Sequence, residues 1–326
     1  KRRRFLIAVA VVVVVALAAA LGGVLGGKKG SESQGATGDT SGSSRGNGTG
    51  TSDGPSSSSP SSVPQPARAG SPLTAAAMRK SDGGLDLRLY FLDRDNRLVW
   101  AHCDTLRPLA DGESSCWEMG GRFPSYSEPD SQLAATNIVW ATQMRPQTEL
   151  FYTGSGTRLL GVNFNDNFNP RIMADSIDGV GWSTGSESAL AAYWPWLVHQ
   201  DATGALVHVR NNPPANLEPG AVWGAAGINV TALVGTKLAM VPASANFTRI
   251  GGWGGYAVFY QGRDSRLSVA MSRLNGSDSS LNAPLSFPTT LPVINVPDKA
   301  PIAAFTAARL NDADQRVDAY VLYIDG

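Results

Sequence analysis

The sequence predicts an all-β domain of the propeller type, built from four-stranded blades, over residues 71–326. Three observations carry this. A small-residue opening recurs at Ser71-Pro72-Leu73, Ser131-Gln132-Leu133, Ser188-Ala189-Leu190, Thr236-Lys237-Leu238 and Ala300-Pro301-Ile302, and its apolar anchors lie 60, 57, 48 and 64 residues apart. Each opening is followed by apolar runs around a Gly, Asp, Asn or Ser turn, as in Leu87-Arg88-Leu89-Tyr90-Phe91, Asp93-Arg94-Asp95-Asn96, Arg97-Leu98-Val99-Trp100. Such pairs read as hairpins. Charged residues make up only 17 % of the chain against 36 Gly, 20 Pro and eight Trp, the balance of a chain with many short strands and turns. Four short strands in a repeat of ~50 residues is the pattern of a propeller blade. A blade cannot cover its own faces, so neighbours must stack around an axis.

The elements before this domain differ in kind. Residues 1–4, Lys-Arg-Arg-Arg, form a basic flank. Residues 5–27 begin with FLIAVAVVVVVALAAALGGVL, which carries no charge, and Lys28-Lys29 follow. About 20 apolar residues at ~1.5 Å rise span a bilayer core, and a single span satisfies its backbone only as a helix. The stronger cationic cluster precedes the run, which places the flank in the cytosol and the rest outside or in a lumen. A secretory signal peptide is the alternative, but its apolar region runs to ~7–15 residues. The expectation is a single-pass type II protein in the plasma membrane or another secretory-pathway membrane. Residues 28–70 are rich in Ser, Gly, Thr and Pro. With almost no large apolar side chains, they cannot offset their ordering entropy and read as a disordered stalk.

From residue 71 the hairpins continue. Blade two pairs Glu149-Leu150-Phe151-Tyr152 with Arg158-Leu159-Leu160, blade three pairs Trp196-Leu197-Val198-His199 with Ala205-Leu206-Val207-His208, and blade four pairs Tyr256-Ala257-Val258-Phe259-Tyr260 with Arg266-Leu267-Ser268-Val269. The stretch Asp318 to Tyr323 begins a fifth. Trp117, Trp182 and Trp223 fall near the ends of the first three repeats. The first residue is Lys rather than Met and the last lie in a strand and turn, so both ends are expected to be cut.

Net charge excludes some functions. Residues 1–29 hold six of the 27 cations and no acids, which leaves 21 cations against 27 acids. A mildly acidic exterior lacks the clustered Lys and Arg that nucleic acid needs. Cys103 and Cys116 are the two cysteines. In an oxidising compartment they are expected to pair, closing a loop that contributes roughly 3 kcal/mol. No CxxC is present and His numbers three, so neither a metal site nor a cofactor is expected. Asn47, Asn229, Asn246 and Asn275 start N-x-[ST] triplets, permitted glycosylation sites on an exterior surface.

The repeat resembles the fungal fucose-specific lectin family. The residues that carry the likeness are Arg88 in LRLYF, at the family's second-strand Arg, the turn after it, and Trp117 at the family's later Trp. The resemblance implies six blades, of which about four and a fraction are present here. It implies sugar pockets between adjacent blades and fucosylated glycans as partners. In such a pocket Arg supplies a rigid fork of donors, a carboxylate accepts from hydroxyls, and an aromatic covers the apolar face. Several weak sites on one propeller add avidity. On this basis Arg88, Trp100 and Trp117 are the candidate ligand-binding residues. The chain departs from the pattern elsewhere. The Arg position holds Glu149, Trp196 and Ala257 in blades two to four, and the third-strand Glu position holds Trp100, Gly161, His208 and Val269.

Three functional classes follow: a cell-surface carbohydrate-binding protein, a propeller scaffold for protein contacts, and a glycan-processing enzyme. The enzyme reading lacks support. A glycosidase needs two carboxylates ~5–9.5 Å apart, and nothing in the spacing of Glu149, Asp175, Asp178 and Glu187 singles out a pair. No helix-period stretch after the apolar run offers the strand-to-helix turn of a nucleophile elbow, so a hydrolase triad is not indicated. His199 and His208 lie on adjacent strands of one hairpin and are expected to pack across it. No catalytic residue is assigned.

Overall fold

The computed structural model describes residues 67–79, 83–105, 116–126, 131–140, 145–165, 171–212, 222–244, 255–271, 292–313 and 316–325. Apart from short 3-10 turns at Ser155–Thr157 and Ser176–Gly179, every element among them is a strand. Blade one is an antiparallel sheet of β1 (Leu73–Arg79), β2 (Leu85–Leu92), β3 (Arg97–Asp104) and β4 (Trp117–Tyr126) in that order. Blade two repeats it with β5 (Leu133–Trp140), β6 (Arg145–Thr153), β7 (Leu159–Asn165) and β8 (Arg171–Ala174). Blade three has β9 (Leu190–Tyr193), β10 (Trp196–Gln200), β11 (Ala205–Asn212) and β12 (Val222–Thr231). Three strands of blade four are described, β13 (Ala239–Pro242), β14 (Tyr256–Gln261) and β15 (Leu267–Met271), and two of a fifth sheet, β16 (Ile302–Ala308) and β17 (Val317–Tyr323). No helix among the described residues is long and apolar enough to cross a membrane. The basic flank, the apolar run and the stalk up to residue 66 lie outside the described residues.

The first strands of successive sheets pack against one another, β1 on β5, β5 on β9, β9 on β13 and β13 on β16. Side chains that reach past a neighbouring blade show the curvature of this row. Lys237 Nζ of blade four donates to Gln132 Oε1 of blade two at 3.1 Å, and Lys299 of the fifth sheet pairs with Glu187 before blade three.

The hairpin turns follow from their sequences. In Asp93-Arg94-Asp95-Asn96, Asn96 N–H donates to Asp93 O at 3.0 Å, and Asn96 takes φ 56°. Gly204 (φ 83°) and Ser265 (φ 62°) close the turns of blades three and four in the same way. A tight turn ended by a left-handed residue matches the twist of the flanking strands. Asp93 Oδ1 accepts from the Asp95 and Arg97 N–H groups, and Asp201 Oδ1 from those of Thr203 and Ala205, which is why Asp opens these turns. Residues 67–70, expected as the end of the stalk, dock on the first turn. Ala67 bridges Asp93, Arg68 N–H donates to Leu92 O, and Arg68 Nη1 donates to Asn96 Oδ1 at 2.9 Å.

The recurrent opening has a hydrogen-bonding cause. Ser71, Ser131, Ser188 and Thr236 each accept, through the side-chain oxygen, the N–H at the end of the second strand of their own blade. The partners are Leu92 at 2.7 Å, Thr153 at 3.0 Å, Gln200 at 2.7 Å and Gln261 at 2.8 Å. Each hydroxyl then donates to the carbonyl of the next residue. Gln200 and Gln261 add a second stitch. Gln200 Nε2 donates to Gly204 O and Leu233 O, and its Oε1 accepts from Gly235 N–H. Gln261 likewise holds Val296 O and Lys299 N–H. The connector to the next blade is thus tied to the blade it leaves.

The core is a series of seams between blades. Tyr90, Leu92, Leu98 and Phe123 of blade one meet Leu150, Tyr152 and Phe164 of blade two. Phe151 and Leu159 of blade two meet Leu197, Val209 and Trp223 of blade three. Trp196 and Val198 meet Tyr256, Val258 and Tyr260, and Phe259 and Val269 meet Ile302 and Val321. Strand alternation thus sends successive residues of one strand into two different seams. Each fully buried aliphatic or Phe side chain contributes about 1.5–3 kcal/mol.

This alternation corrects one expectation. His208 faces Val198 and His199 faces Val207 across the hairpin, so the two imidazoles lie on opposite faces of blade three. His208 Nδ1 meets Tyr256 Oη of blade four at 2.9 Å, whereas His199 Nδ1 lies 3.0 Å from Gln200 O. The pairing of Cys103 with Cys116 holds: a disulfide joins them, with Cα atoms 4.9 Å apart. Cys103 sits within β3 and Cys116 immediately before β4, so the bond staples neighbouring strands.

Candidate functional site

The seam between blades one and two carries the residues that sequence singled out. Arg88 is on β2 with its side chain pointing towards blade two. Only 8 % of it is exposed. Asp86, two residues earlier on the same face, fixes the guanidinium: Asp86 Oδ2 accepts from Arg88 Nη2 at 3.0 Å and from Nε at 3.3 Å. Nη1 has no hydrogen-bond partner among the described residues. The guanidinium lies 5.9 Å from the Trp100 ring centroid and 5.7 Å from that of Phe164 of blade two, so it rests against aromatic rings from both blades. The Tyr90 hydroxyl is beside Arg88 and Thr148, and burial pushes it up to about 12.

Trp100 is on β3, half-buried, over Gly120 of β4. A Cβ at Gly120 would sit 2.2 Å from the indole, so glycine there makes the space the ring occupies. Beside it, Arg88 faces His102 of β3, and His102 faces Glu118 of β4. His102 Nε2 and Glu118 Oε2 are 3.5 Å apart, and their side chains are 35 % and 43 % exposed. Arg88, His102 and Glu118 therefore form a row across three strands of one face, with Trp100 next to it. From Arg88 to Glu118 the row spans two strand spacings, about 10 Å. It offers donors at one end, an acceptor at the other, and an aromatic surface between them.

Trp117 does not join this set. It packs with Phe91, Val99, Ala101 and Met119 on the other face of blade one. The register explains the difference. Cys103 faces Trp117, Asn211 faces Trp223 and Phe164 faces Ile172, so these three occupy equivalent positions. Trp223 points back towards blade two, with its ring 5.8 Å from Phe151. The Trp of one repeat thus serves the seam before its blade, and at the position that would serve the Arg88 seam the chain has Ile172. Trp182 belongs to neither set; it lies after β8, in the connector to blade three.

Two residues of the row escaped sequence reading. The resemblance implies an acceptor on the third strand, where Trp100 stands, whereas the carboxylate on this face comes from the fourth strand, Glu118. The signal was its place directly after Trp117, which by alternation puts it on the opposite face, with Arg88.

The other seams differ in chemistry. Between blades three and four Arg210 lies over Trp196 at 5.0 Å, and His208 stacks on Trp196 at 5.4 Å. Between blade four and the fifth sheet the matching positions are Ala257, Val269 and Met271, all apolar. Between blades two and three Glu149 takes the place of Arg88. Among the sequons, Asn229 is exposed on β12, while Asn47, Asn246 and Asn275 lie outside the described residues. No group of three or more His, Cys, Asp or Glu among the described residues could hold a metal ion.

No protein-family model and no curated protein matches the chain. Solved structures do. The fungal lectin of Aleuria aurantia, a six-bladed β-propeller that recognises fucose, is 15 % identical; the likeness covers 80 % of this chain and 74 % of that one with a TM-score of 0.58. AofleA from Arthrobotrys oligospora is 14 % identical, with 78 % and 65 % covered and a TM-score of 0.58. The SapL1 lectin, solved with α-methyl fucoside, is 15 % identical, with 78 % and 73 % covered and a TM-score of 0.55. The chain has the propeller fold of these lectins.

Proposed function

We propose that this chain is a carbohydrate-binding, lectin-like protein that takes fucosylated glycans in the seam between blades one and two. The row Arg88, His102 and Glu118 beside Trp100 carries this reading. A pyranose presents hydroxyls at its rim and an apolar patch on one face, and this row presents oriented donors, an acceptor and an indole. Arg88 is the donor, held in place by Asp86 with Nη1 left for a hydroxyl. Glu118 accepts, His102 orients Glu118, and Trp100 provides the platform. The apolar run at residues 5–27 and the stalk after it would display the propeller outside the cell, where glycans are met.

The test is a glycan array with the whole chain, with free L-fucose as competitor and Arg88→Ala as control. Binding that fucose competes away and that the variant loses supports the reading. A folded sample that is silent across the array overturns it. A scaffold for protein contacts is the second reading. It is favoured by the seam of blade four, where the described matching positions, Ala257, Val269 and Met271, are apolar.

A further inference from the structure

The seam between blades two and three repeats the layout of the Arg88 seam with its polarity reversed. Glu149 stands where Arg88 stands: each pairs with the residue three after the recurrent apolar anchor, Arg88 with Ala76 and Glu149 with Thr136. On its other side Glu149 faces Asn163 of β7. Thr136, Glu149 and Asn163 therefore form a row across three strands on the face of blade two that is turned to blade three. The residue two places earlier fixes the charged group in both seams. Asp86 accepts from Arg88, whereas Gln147 Nε2 donates to Glu149 Oε1 at 2.7 Å.

Three acceptor oxygens in this seam have no hydrogen-bond partner among the described residues: Glu149 Oε2, Asn163 Oδ1 and, from blade three, Asn211 Oδ1. Glu149 and Asn211 are only 2 % and 4 % exposed. Asn211 lies two residues after Val209 and opposite Trp223, both of which pack in this seam. A buried acceptor left unpaired is costly, and three of them in one seam call for a donor. Among the described residues no Lys or Arg pairs with Glu149. Burial first, and the Asp175 charge second, push its carboxyl well above the usual range.

The wall opposite the row is aromatic. The Trp223 ring lies 5.8 Å from Phe151 of blade two and 6.4 Å from the Trp194 ring, edge to face in both cases. Trp194 N–H donates to Thr136 Oγ1 at 2.9 Å, which ties this indole to the row itself. Trp194 and Asn163 are half-buried and form the rim.

We propose that the seam between blades two and three is a second glycan subsite, which takes a sugar bearing a free, protonated amino group. An ammonium has three N–H donors and no acceptor, which matches Glu149 Oε2 and the two amide oxygens. The indoles cover the apolar face of the pyranose and attract the cation. An N-acetyl group would remove the charge that Glu149 answers. The inference rests on the sugar-binding reading of the fold, but not on Arg88.

The experiment is calorimetric titration of the full chain at about pH 6 with three probes: a β-linked glucosamine tetramer, its fully N-acetylated counterpart and Nα-acetyl-lysine methylamide. The free-amine tetramer is expected to bind about tenfold tighter than either of the others and to change Trp emission. Glu149→Gln is expected to lose that advantage, while Arg88→Ala keeps it and free L-fucose does not displace the tetramer. Equal binding of the acetylated tetramer, or unchanged affinity in E149Q, overturns the proposal. Equal binding of the lysine derivative overturns the assignment to a sugar. Should E149Q not fold, Asn211→Leu removes one acceptor and must weaken the tetramer severalfold. Fucose binding that Arg88→Ala abolishes would stand through any of these failures, so the two seams are judged apart.

Discussion

Ser188 Oγ lies 2.7 Å from the amide nitrogen of Gln200, twelve residues later in the chain, and both residues are buried. The hydroxyl accepts that N–H and donates to its neighbour's carbonyl, so it closes the end of an innermost strand against the strand beside it. Replacing Ser188 by Ala leaves the Gln200 N–H without a partner in a site that water does not reach. Such a group costs about 1–3 kcal/mol. Ser188→Ala is expected to lower unfolding free energy by that amount, and Ser188→Thr, which keeps the acceptor as Thr236 does in blade four, by much less. Equal losses for both in urea titrations would refute the hydrogen-bonding account of the repeat.

The Gln261 amide makes a sharper case. It donates to Val296 O at 2.8 Å and accepts from Lys299 N–H at 2.8 Å, holding the connector that enters the fifth sheet. Gln261→Leu fills a similar volume but leaves two backbone groups unpaired. The expected loss is about 2–4 kcal/mol, with amide exchange of residues 296–300 rising first. Unchanged exchange there would show that the connector is held by packing alone.

The architecture was legible in the sequence because its cause is local and repeated: the Ser or Thr acceptor, the Asp or Gly turn and the apolar alternation recur in blades one to four. The disulfide was legible because two cysteines allow one pairing. The site was legible only in part. Arg88 and Trp100 share a face, but Trp117 was grouped with them by its place in the repeat, and only the strand register shows that this position serves the preceding seam. The close seat of Asp175 on β7 was not legible either, because it depends on the absent side chain of Gly161, where a Cβ would lie 2.8 Å from Asp175 Cβ.

Gly120 sets the position of Trp100. A Cβ at Gly120 would meet the indole at 2.2 Å, whereas one at Gly121 approaches no closer than 3.8 Å. Gly120→Ala is therefore expected to push the ring off its seat and weaken sugar binding roughly tenfold, about 1.4 kcal/mol, with a change in Trp fluorescence. Gly121→Ala should bind as the wild type does. A titration by calorimetry that found both variants equal would detach Trp100 from the ligand.

The disulfide closes a loop with a sequence separation of 13. By the chain-entropy argument its removal in Cys103→Ala with Cys116→Ala should cost roughly 3 kcal/mol. Because the bond anchors β4, Glu118 and Gly120 should be the first to loosen, and sugar affinity should fall along with stability. A non-reducing peptide mass map that showed two free thiols would remove the basis for both expectations.

His199 provides the acid side of the pH profile. It is 4 % exposed. Burial lowers its proton affinity, and the Gln200 carbonyl and Asp201 offset this only in part. The folded protein therefore keeps the imidazole neutral, while the unfolded chain takes up a proton near pH 6.5. A group depressed in this way contributes stability that is present above the unfolded value and is lost as pH falls through the folded one. Glu149 has the opposite sign: burial first, and the Asp175 charge second, hold its carboxyl well above the usual range, so its contribution is lost as pH rises through the folded value. His199→Gln should flatten the loss of stability between about pH 6.5 and pH 5 and leave the alkaline limb alone, and E149Q should do the reverse. Urea midpoints for the two single variants and the double variant separate the limbs. If His199→Gln kept the full acid slope, the acid sensitivity of the fold would have to lie in other groups.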